Sequence, residues 1–217
     1  MEPLDQELFE RHIMNSRSRL EVLMRGHLWI EFALNVLLDE ATAERDATGL
    51  DDMRFAQKVR IAAAFDLLNP DLIGCVSTLN RLRNKLAHNL RWEPSDADAE
   101  SLIAPLDGPG RLAYDAAIGD MLEEDSRRPD SDPSLEKMKA VVMVCVMLIG
   151  VTAMHTEYRR EYRIPLIRVA ARSLSGRHTQ DELLRQEGVP MPPDPGEVWS
   201  HRGGPIDPTS EVAPPDG

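Results

Sequence analysis

The sequence predicts an all-α protein, and three observations support that fold class. Apolar residues recur with i, i+3, i+4 spacing in several long segments, and no segment shows the period-two alternation of a strand. Hydrophobic residues make up 42% of the 217 residues but aromatic residues only 5%, so the core is aliphatic and rich in methionine. Capping residues, prolines and glycines separate the periodic segments. Together these features indicate helices packed on helices.

The first half of the chain contains four predicted helices and one polar connector. The second helix carries an apolar stripe that we expect to face the core, formed by Leu20, Leu23, Met24, Leu34 and Leu38. Asn69 and Pro70 end the third helix, and Pro70 suits the first turn of the fourth. The predicted helices span 4–14, 16–42, 53–68 and 70–92, and the connector spans 44–52.

The second half is less regular until a long helix that we expect to begin at a Ser134 cap. The middle of this helix is apolar on all sides, so it should lie at the centre of an up-and-down helical bundle. We expect a helical bundle over 1–175, followed over 176–217 by a short helix and an acidic Pro/Gly-rich tail, disordered or partner-dependent from Gly188 onward. The remaining predicted helices span 95–106, 111–122, 134–160 and 179–186, and 164–174 can continue the fold.

The charge and cysteine content limit the functional classes. A formal net charge of -12 disfavours a protein that coats DNA or RNA, and direct DNA binding is not expected, although a local basic patch could bind a specific RNA. The N-terminal segment is polar and does not resemble a signal peptide, and the apolar run 140–154 is too short to span a bilayer. Cys75 and Cys145 are predicted to be buried and reduced, so a cytoplasmic location is expected.

The fourth helix carries a charged residue within its apolar stripe. Leu72, Val76, Leu79, Leu86 and Leu90 form this stripe. The side chain of Arg83 falls within roughly 20° of the centre of the stripe on a helical wheel. Asn80, Asn84 and His88 lie on one shoulder of the stripe, whereas Arg81 and Lys85 lie on the solvent side. Because a buried charge without a partner is costly, Arg83 requires a partner or a ligand.

The second predicted helix also has polar residues within its apolar stripe. His27 and Glu31 lie inside its predicted apolar stripe. The simplest solution is that Glu31 forms an ion pair with Arg83 and joins the two helices.

These residues resemble a known pattern. The string RNKLAH, from Arg83 to His88, fits R-x4-H with a polar residue directly after the arginine, and it lies late in a helix. The segments RGHLWIEFALNVLLDE and FAQKVRIAAAFDLL precede it. Over about 20–92 the chain resembles the HEPN superfamily, in particular its mannitol-repressor-like branch.

The resemblance implies a homodimer that meets through the helix carrying Arg83 and His88, and cleavage of RNA without a metal or a cofactor. It implies that His88 moves the proton of the ribose 2′-OH and that Arg83 holds the scissile phosphate. A histidine suits this work because an imidazole ordinarily titrates near neutral pH. Asn84, Asn80 and Glu31 would support the two catalytic residues, and RNA contacts are expected from a further set: Lys85, Arg81, Arg159 and Arg160.

Three functions remain open at this point. The first is a HEPN endoribonuclease that acts as a toxin, with an antitoxin, or in antiphage defence. The second is a non-catalytic HEPN-like regulator that works through protein contacts, with Arg83 in a structural ion pair and His88 at a helix end. The third is a helical scaffold subunit of a larger assembly that docks through its proline-rich tail.

Overall fold

The computed structural model describes residues 6–42, 49–89, 91–127, 130, 132–162 and 179–191. Eight α-helices account for most of these residues, and no strand occurs among them. The all-α prediction is therefore confirmed. A π-helical segment, Glu10–Met14, continues the first helix, and a 3-10 turn, Leu50–Asp52, precedes the third. The helices are α1 (Gln6–Phe9), α2 (Arg19–Ala41), α3 (Phe55–Ala64), α4 (Pro70–His88), α5 (Asp96–Ile103), α6 (Gly108–Asp125), α7 (Pro133–Glu161) and α8 (Gln180–Gln186).

Helix α7 is the central helix, as its composition predicts. Fifteen of its residues are buried, and α2, α4, α5 and α6 all pack against it. Its length and hydropathy would suffice to cross a membrane, but 61% of its most apolar 18-residue window is buried inside the bundle. The predicted cap is wrong by two residues, because the side chain of Asp132 accepts the hydrogen bond from the Leu135 N–H, while Ser134 lies inside the helix.

The helices of the first half of the chain and the last helix were predicted correctly except for the residues at which they begin or end. Helix α3 ends at Ala64 and α4 ends at His88, so Trp92 lies beyond α4. The short α8 is confirmed: Thr179 caps its start, and Gly188 follows with φ +67°. Val189 is buried against α8 and Tyr158, so the chain stays packed beyond the Gly188 boundary that the sequence predicted. The predicted segment 164–174 and the tail from 192 onward lie outside the described residues.

Two polar contacts fix the relative direction of α2 and α7. At the start of α2, Arg19 forms two hydrogen bonds with the carboxylate of Asp132, at 2.6 and 2.7 Å, and also contacts Asp96. The Arg19 guanidinium holds the pKa of Asp132 below its usual range. At the other end, Arg160 forms an ion pair with Glu40 at 2.7 Å. Because the two starts meet and the two ends meet, α2 and α7 run parallel.

The two cysteines lie where the core brings α4 and α7 together. Both side chains are buried and free, as predicted. A hydrogen bond with Cys75 and burial both raise the pKa of Cys145. Since the thiolate is the reactive form, the Cys145 thiol is expected to be inert in the native state.

Gly26 permits the close approach of α2 to α7. A Cβ atom at position 26 would lie 2.6 Å from a methyl carbon of Val142, whereas a Cβ atom at Gly119, on α6, would have no neighbour within 4 Å. Gly119→Ala should therefore stabilise the protein by about 1 kcal/mol through helix propensity alone. Gly26→Ala gains the same helix propensity but overpacks the core, so it should lie about 1–3 kcal/mol below Gly119→Ala in urea unfolding. Equal unfolding free energies for the two variants would show that α2 and α7 are not in close contact at this position.

Candidate functional site

Helix α4 buries the stripe that the sequence predicted, but Arg83 lies at its border. Leu72, Val76, Leu79 and Leu86 are buried, and so are Cys75 and Leu82. Because of these two additional residues, the centre of the buried face lies about 45° away from Arg83 on the helical wheel. Arg83 is accordingly half-buried, which corrects the prediction that it points directly into the core. Leu90 lies outside the described residues.

The C-terminal half of α4 lies beside the N-terminal half of α2. The side chains of His27 and Asn80 meet in the middle of this contact, and Arg19 at the start of α2 donates a hydrogen bond to the carbonyl of Pro94, which follows α4. The two helices are therefore antiparallel. This arrangement puts Arg83 and His88 at the same end of the bundle as the first turns of α2.

His27 and Asn80 form a polar contact within the packed interface. The Nε2 atom of His27 lies 3.2 Å from Oδ1 of Asn80, and the His27 ring packs on Phe55 of α3 at 4.2 Å between ring centroids. If Oδ1 accepts this bond, Nε2 carries the proton. Burial lowers the pKa of His27, and the bond to Asn80 and the nearby Glu31 charge oppose this only in part. Asn80 thus positions a buried, neutral histidine, which was not part of the predicted site.

The predicted ion pair between Arg83 and Glu31 is wrong. Glu31 pairs with Lys58 of α3, with 2.7 Å between Nζ and Oε1, and the Lys58 side chain is only 3% exposed. Lys58 lies among the inward-facing residues Phe55, Val59 and Ala62 of α3, so its ammonium has to find an acid within the bundle. Sequence reasoning passed over Lys58, although its place in that apolar face was a sufficient signal.

Arg83 and His88 are left at the surface. Within the described part of the chain, the Arg83 guanidinium donates one hydrogen bond, from Nη1 to Oδ1 of Asn84 at 3.3 Å, and no acid pairs with it. Asn84 and His88 are both exposed. We call Arg83, Asn84 and His88 the α4 strip. It presents an unneutralised cation, an amide and an imidazole to solvent, which are groups that suit a phosphate or another anion.

The four cations predicted to contact RNA fall into two groups. Arg81 is exposed on α4, but Lys85 lies over the Trp92 ring at 4.4 Å and faces Asp98 at 3.7 Å. Arg160 is engaged by Glu40, as described above. Arg159 is exposed and lines an open groove of about 340 Å³ with Asp66, Leu67 and His155. Because Arg160 lies at the opposite end of α2 from the α4 strip, Arg159 and Arg160 are about 30 Å from it and belong to a different surface.

Helix α2 is rotated relative to its predicted orientation. Leu20 and Met24, which we expected in the core, are 38% and 37% exposed, while Trp29, Ile30 and Leu37 are buried. The reason is that α2 has two apolar faces, and α7 covers the one that contains Gly26. The other face leaves Leu20, Met24, Leu28 and Phe32 exposed.

Comparison with known protein families, with curated proteins and with solved structures finds no match to this chain. The resemblance to the HEPN superfamily therefore stays a prediction.

Proposed function

We propose that this protein is a metal-independent endoribonuclease of the HEPN type, of the kind found in toxins and antiphage defence. The observation that supports the proposal is the α4 strip. Arg83 follows the R-x4-H spacing to His88, and its charge is not neutralised by Glu31 as a purely structural role would require. An arginine that has no acid beside it and is bordered by an amide and an imidazole is available to bind a phosphate.

The proposed reaction uses two of these side chains directly. An imidazole at position 88 accepts the proton of a ribose 2′-OH, and the 2′ oxygen attacks the adjacent phosphorus. The bond to the 5′ oxygen breaks, and that oxygen takes up a proton, so the products carry a 2′,3′-cyclic phosphate and a 5′-OH. The Arg83 guanidinium neutralises the charge that develops on the phosphate oxygens. Asn84 orients that guanidinium through the bond between Oδ1 and Nη1.

The test is incubation of the purified protein with mixed cellular RNA in excess EDTA, followed by end-group analysis. We expect cyclic phosphate ends, and we expect His88→Ala to lower the cleavage rate by about 100-fold or more. His155→Ala is the matched control because His155 lies on α7 beside Asp66, in the groove that belongs to another surface. Cleavage by His88→Ala at the wild-type rate, with unchanged helicity, would remove His88 from the mechanism.

A non-catalytic regulator that acts through protein contacts is the second candidate. The observation that favours it is that Asn80 and Glu31, two of the expected supporting residues, are used in packing by His27 and Lys58. Absence of RNA cleavage by the wild-type protein would favour this function over the nuclease.

A further inference from the structure

The last turns of α7 carry a polar stripe on one face. Thr152, His155, Thr156 and Arg159 follow one another at the i, i+3, i+4 and i+7 spacing that places side chains on the same side of a helix. We call these four residues the α7 stripe. Because the middle of α7 is apolar on all sides, the stripe marks the point at which this helix leaves the core.

The α7 stripe forms one wall of the open groove of about 340 Å³ described above. The turn after α3 forms the other wall with Asp66 and Leu67, and Val151 completes the lining. A volume of this size lies at the lower end of the range of small-molecule sites. The groove can therefore hold one small molecule.

Asp66 occupies its position in this groove against two local preferences. Its φ is +54°, and no other residue except glycine has a positive φ in the described part of the chain. The Leu67 N–H bonds to the carbonyl of Ala62 at 2.9 Å, which completes the Schellman motif in which glycine is the usual residue at position 66. A carboxylate at the C-terminus of a helix is also unfavourable, because the carbonyl end of the helix dipole is negative. Stability therefore does not explain the aspartate.

The groove presents charges of both signs and keeps them apart. Asp66 lies on one wall and Arg159 on the other, and no ion pair joins them. The hydroxyl groups of the two threonines donate to carbonyls of α7 itself, Thr152 to Leu148 at 2.9 Å and Thr156 to Thr152 at 2.8 Å. In this arrangement the threonine oxygens act as acceptors towards a ligand. The groove thus offers a carboxylate and two hydroxyl oxygens as acceptors, and a guanidinium as a donor.

The two opposite charges select the class of ligand. Asp66 would repel a simple anion such as phosphate, and Arg159 would repel a metal cation. A molecule with a positive and a negative group satisfies both residues. An ammonium donates to the aspartate and to the threonine oxygens, whereas a carboxylate accepts two parallel bonds from a guanidinium, with the His155 imidazole on the same wall. Leu67 and Val151 leave an apolar surface for a short side chain.

We propose that the groove between the end of α3 and the end of α7 is a binding site for a small zwitterion of the amino acid class, which carries one ammonium and one carboxylate. Asp66 receives the ammonium and Arg159 receives the carboxylate. The groove lies about 30 Å from the α4 strip, so the proposal does not rest on the nuclease function and is tested without RNA.

Isothermal titration calorimetry of the full chain tests the site with a panel of free compounds. Glycine, alanine, leucine, β-alanine and γ-aminobutyrate carry both charges and vary in charge separation and side chain, whereas propylamine and propionate each carry one charge. We expect saturable binding of at least one zwitterion, at least tenfold tighter than that of either single-charge compound. Failure of every zwitterion to bind at about 10 mM would overturn the proposal. Equally tight binding of propionate would also overturn it, because Asp66 would then have no role.

Asp66→Gly separates ligand binding from folding, because we expect the two to change in opposite directions. Glycine adopts this φ without strain, and the change removes a negative charge from the end of α3, so the thermal midpoint should rise by about 2–4 °C. Zwitterion affinity should fall at least tenfold. A lower midpoint would show that Asp66 serves the fold, and unchanged affinity would show that it does not contact the ligand. Either result would overturn the proposal.

Arg159→Gln tests the other end of the ligand and should also lower zwitterion affinity at least tenfold. Arg60→Gln is the matched control, because Arg60 is exposed on α3 and does not line the groove. It should bind the zwitterion as the wild type does. Equal affinities for Arg159→Gln and Arg60→Gln would contradict the assignment of the carboxylate to Arg159 and overturn the site.

Discussion

Replacing Glu136 by Ala is expected to lower the free energy of unfolding by about 3–5 kcal/mol, the largest effect of any single change considered for this protein. Glu136 and Lys139 form an ion pair at 2.8 Å within the first turns of α7, and their side chains are only 7% and 2% exposed. Removing the carboxylate leaves the Lys139 ammonium surrounded by the core without a counter-ion. For a chain of this size the change corresponds to a fall of about 6–20 °C in the thermal midpoint.

A double replacement separates the ion pair from the packing around it. In Glu136→Leu with Lys139→Met, neither charge remains to be desolvated, and the new side chains fill a similar volume. We expect this variant to be as stable as the wild type or more so. If Glu136→Ala unfolds at the wild-type midpoint by differential scanning calorimetry, the pair is not buried in solution.

Replacing Glu31 by Ala is expected to cost about 3 kcal/mol or more, whereas Arg83→Ala should cost less than about 1 kcal/mol. Glu31 neutralises the buried ammonium of Lys58, so its removal isolates a charge inside the bundle. Arg83 is half-buried and bonds to the neighbouring Asn84, so its removal strands no charge.

Urea unfolding of the two variants measures this difference directly. If Glu31 and Arg83 were partners, as the sequence alone predicted, the two replacements would have comparable costs and would be strongly non-additive when combined. Additive effects, with most of the cost at Glu31, are what the structure requires. A stable Arg83→Ala protein is also a suitable variant for the cleavage assay, because any loss of activity cannot be attributed to unfolding.

The positions of the helices could be predicted because the signals for them are local. Each signal acts over one or two turns of chain. The signals are the spacing of apolar residues, the proline at position 70, the Thr179 cap at the start of α8 and the glycine at position 188 after its end. The apolar middle of α7 predicted a central helix, since a helix that is hydrophobic on all sides has to be covered on all sides. Helix ends were less accurate, as the Asp132 cap shows, because neighbouring residues can offer equivalent caps.

The pairing of charges could not be predicted in the same way. Sequence reasoning identified two charges that required partners, Arg83 and Glu31, and joined them to each other. The burial of Lys139 depends on which elements cover α7, and the place of Lys58 in the apolar face of α3 did not show which acid would pair with it. The R-x4-H spacing could be identified in the sequence. Whether Glu31 neutralises Arg83 depended on Lys58, a residue of another helix.

The sequence by itself determined that the chain forms helices, which of them is central, and that Arg83, Asn84 and His88 follow one another near the end of one helix, because these properties depend on intervals of a few residues. Only the tertiary structure decided that α2 turns its Gly26 face to α7, that Glu31 pairs with Lys58, and that Leu20, Met24, Leu28 and Phe32 of α2 stay exposed. The physical reason is that a helix with two apolar faces can bury either one. The choice is made by close packing against a neighbour distant in sequence, which no local pattern records.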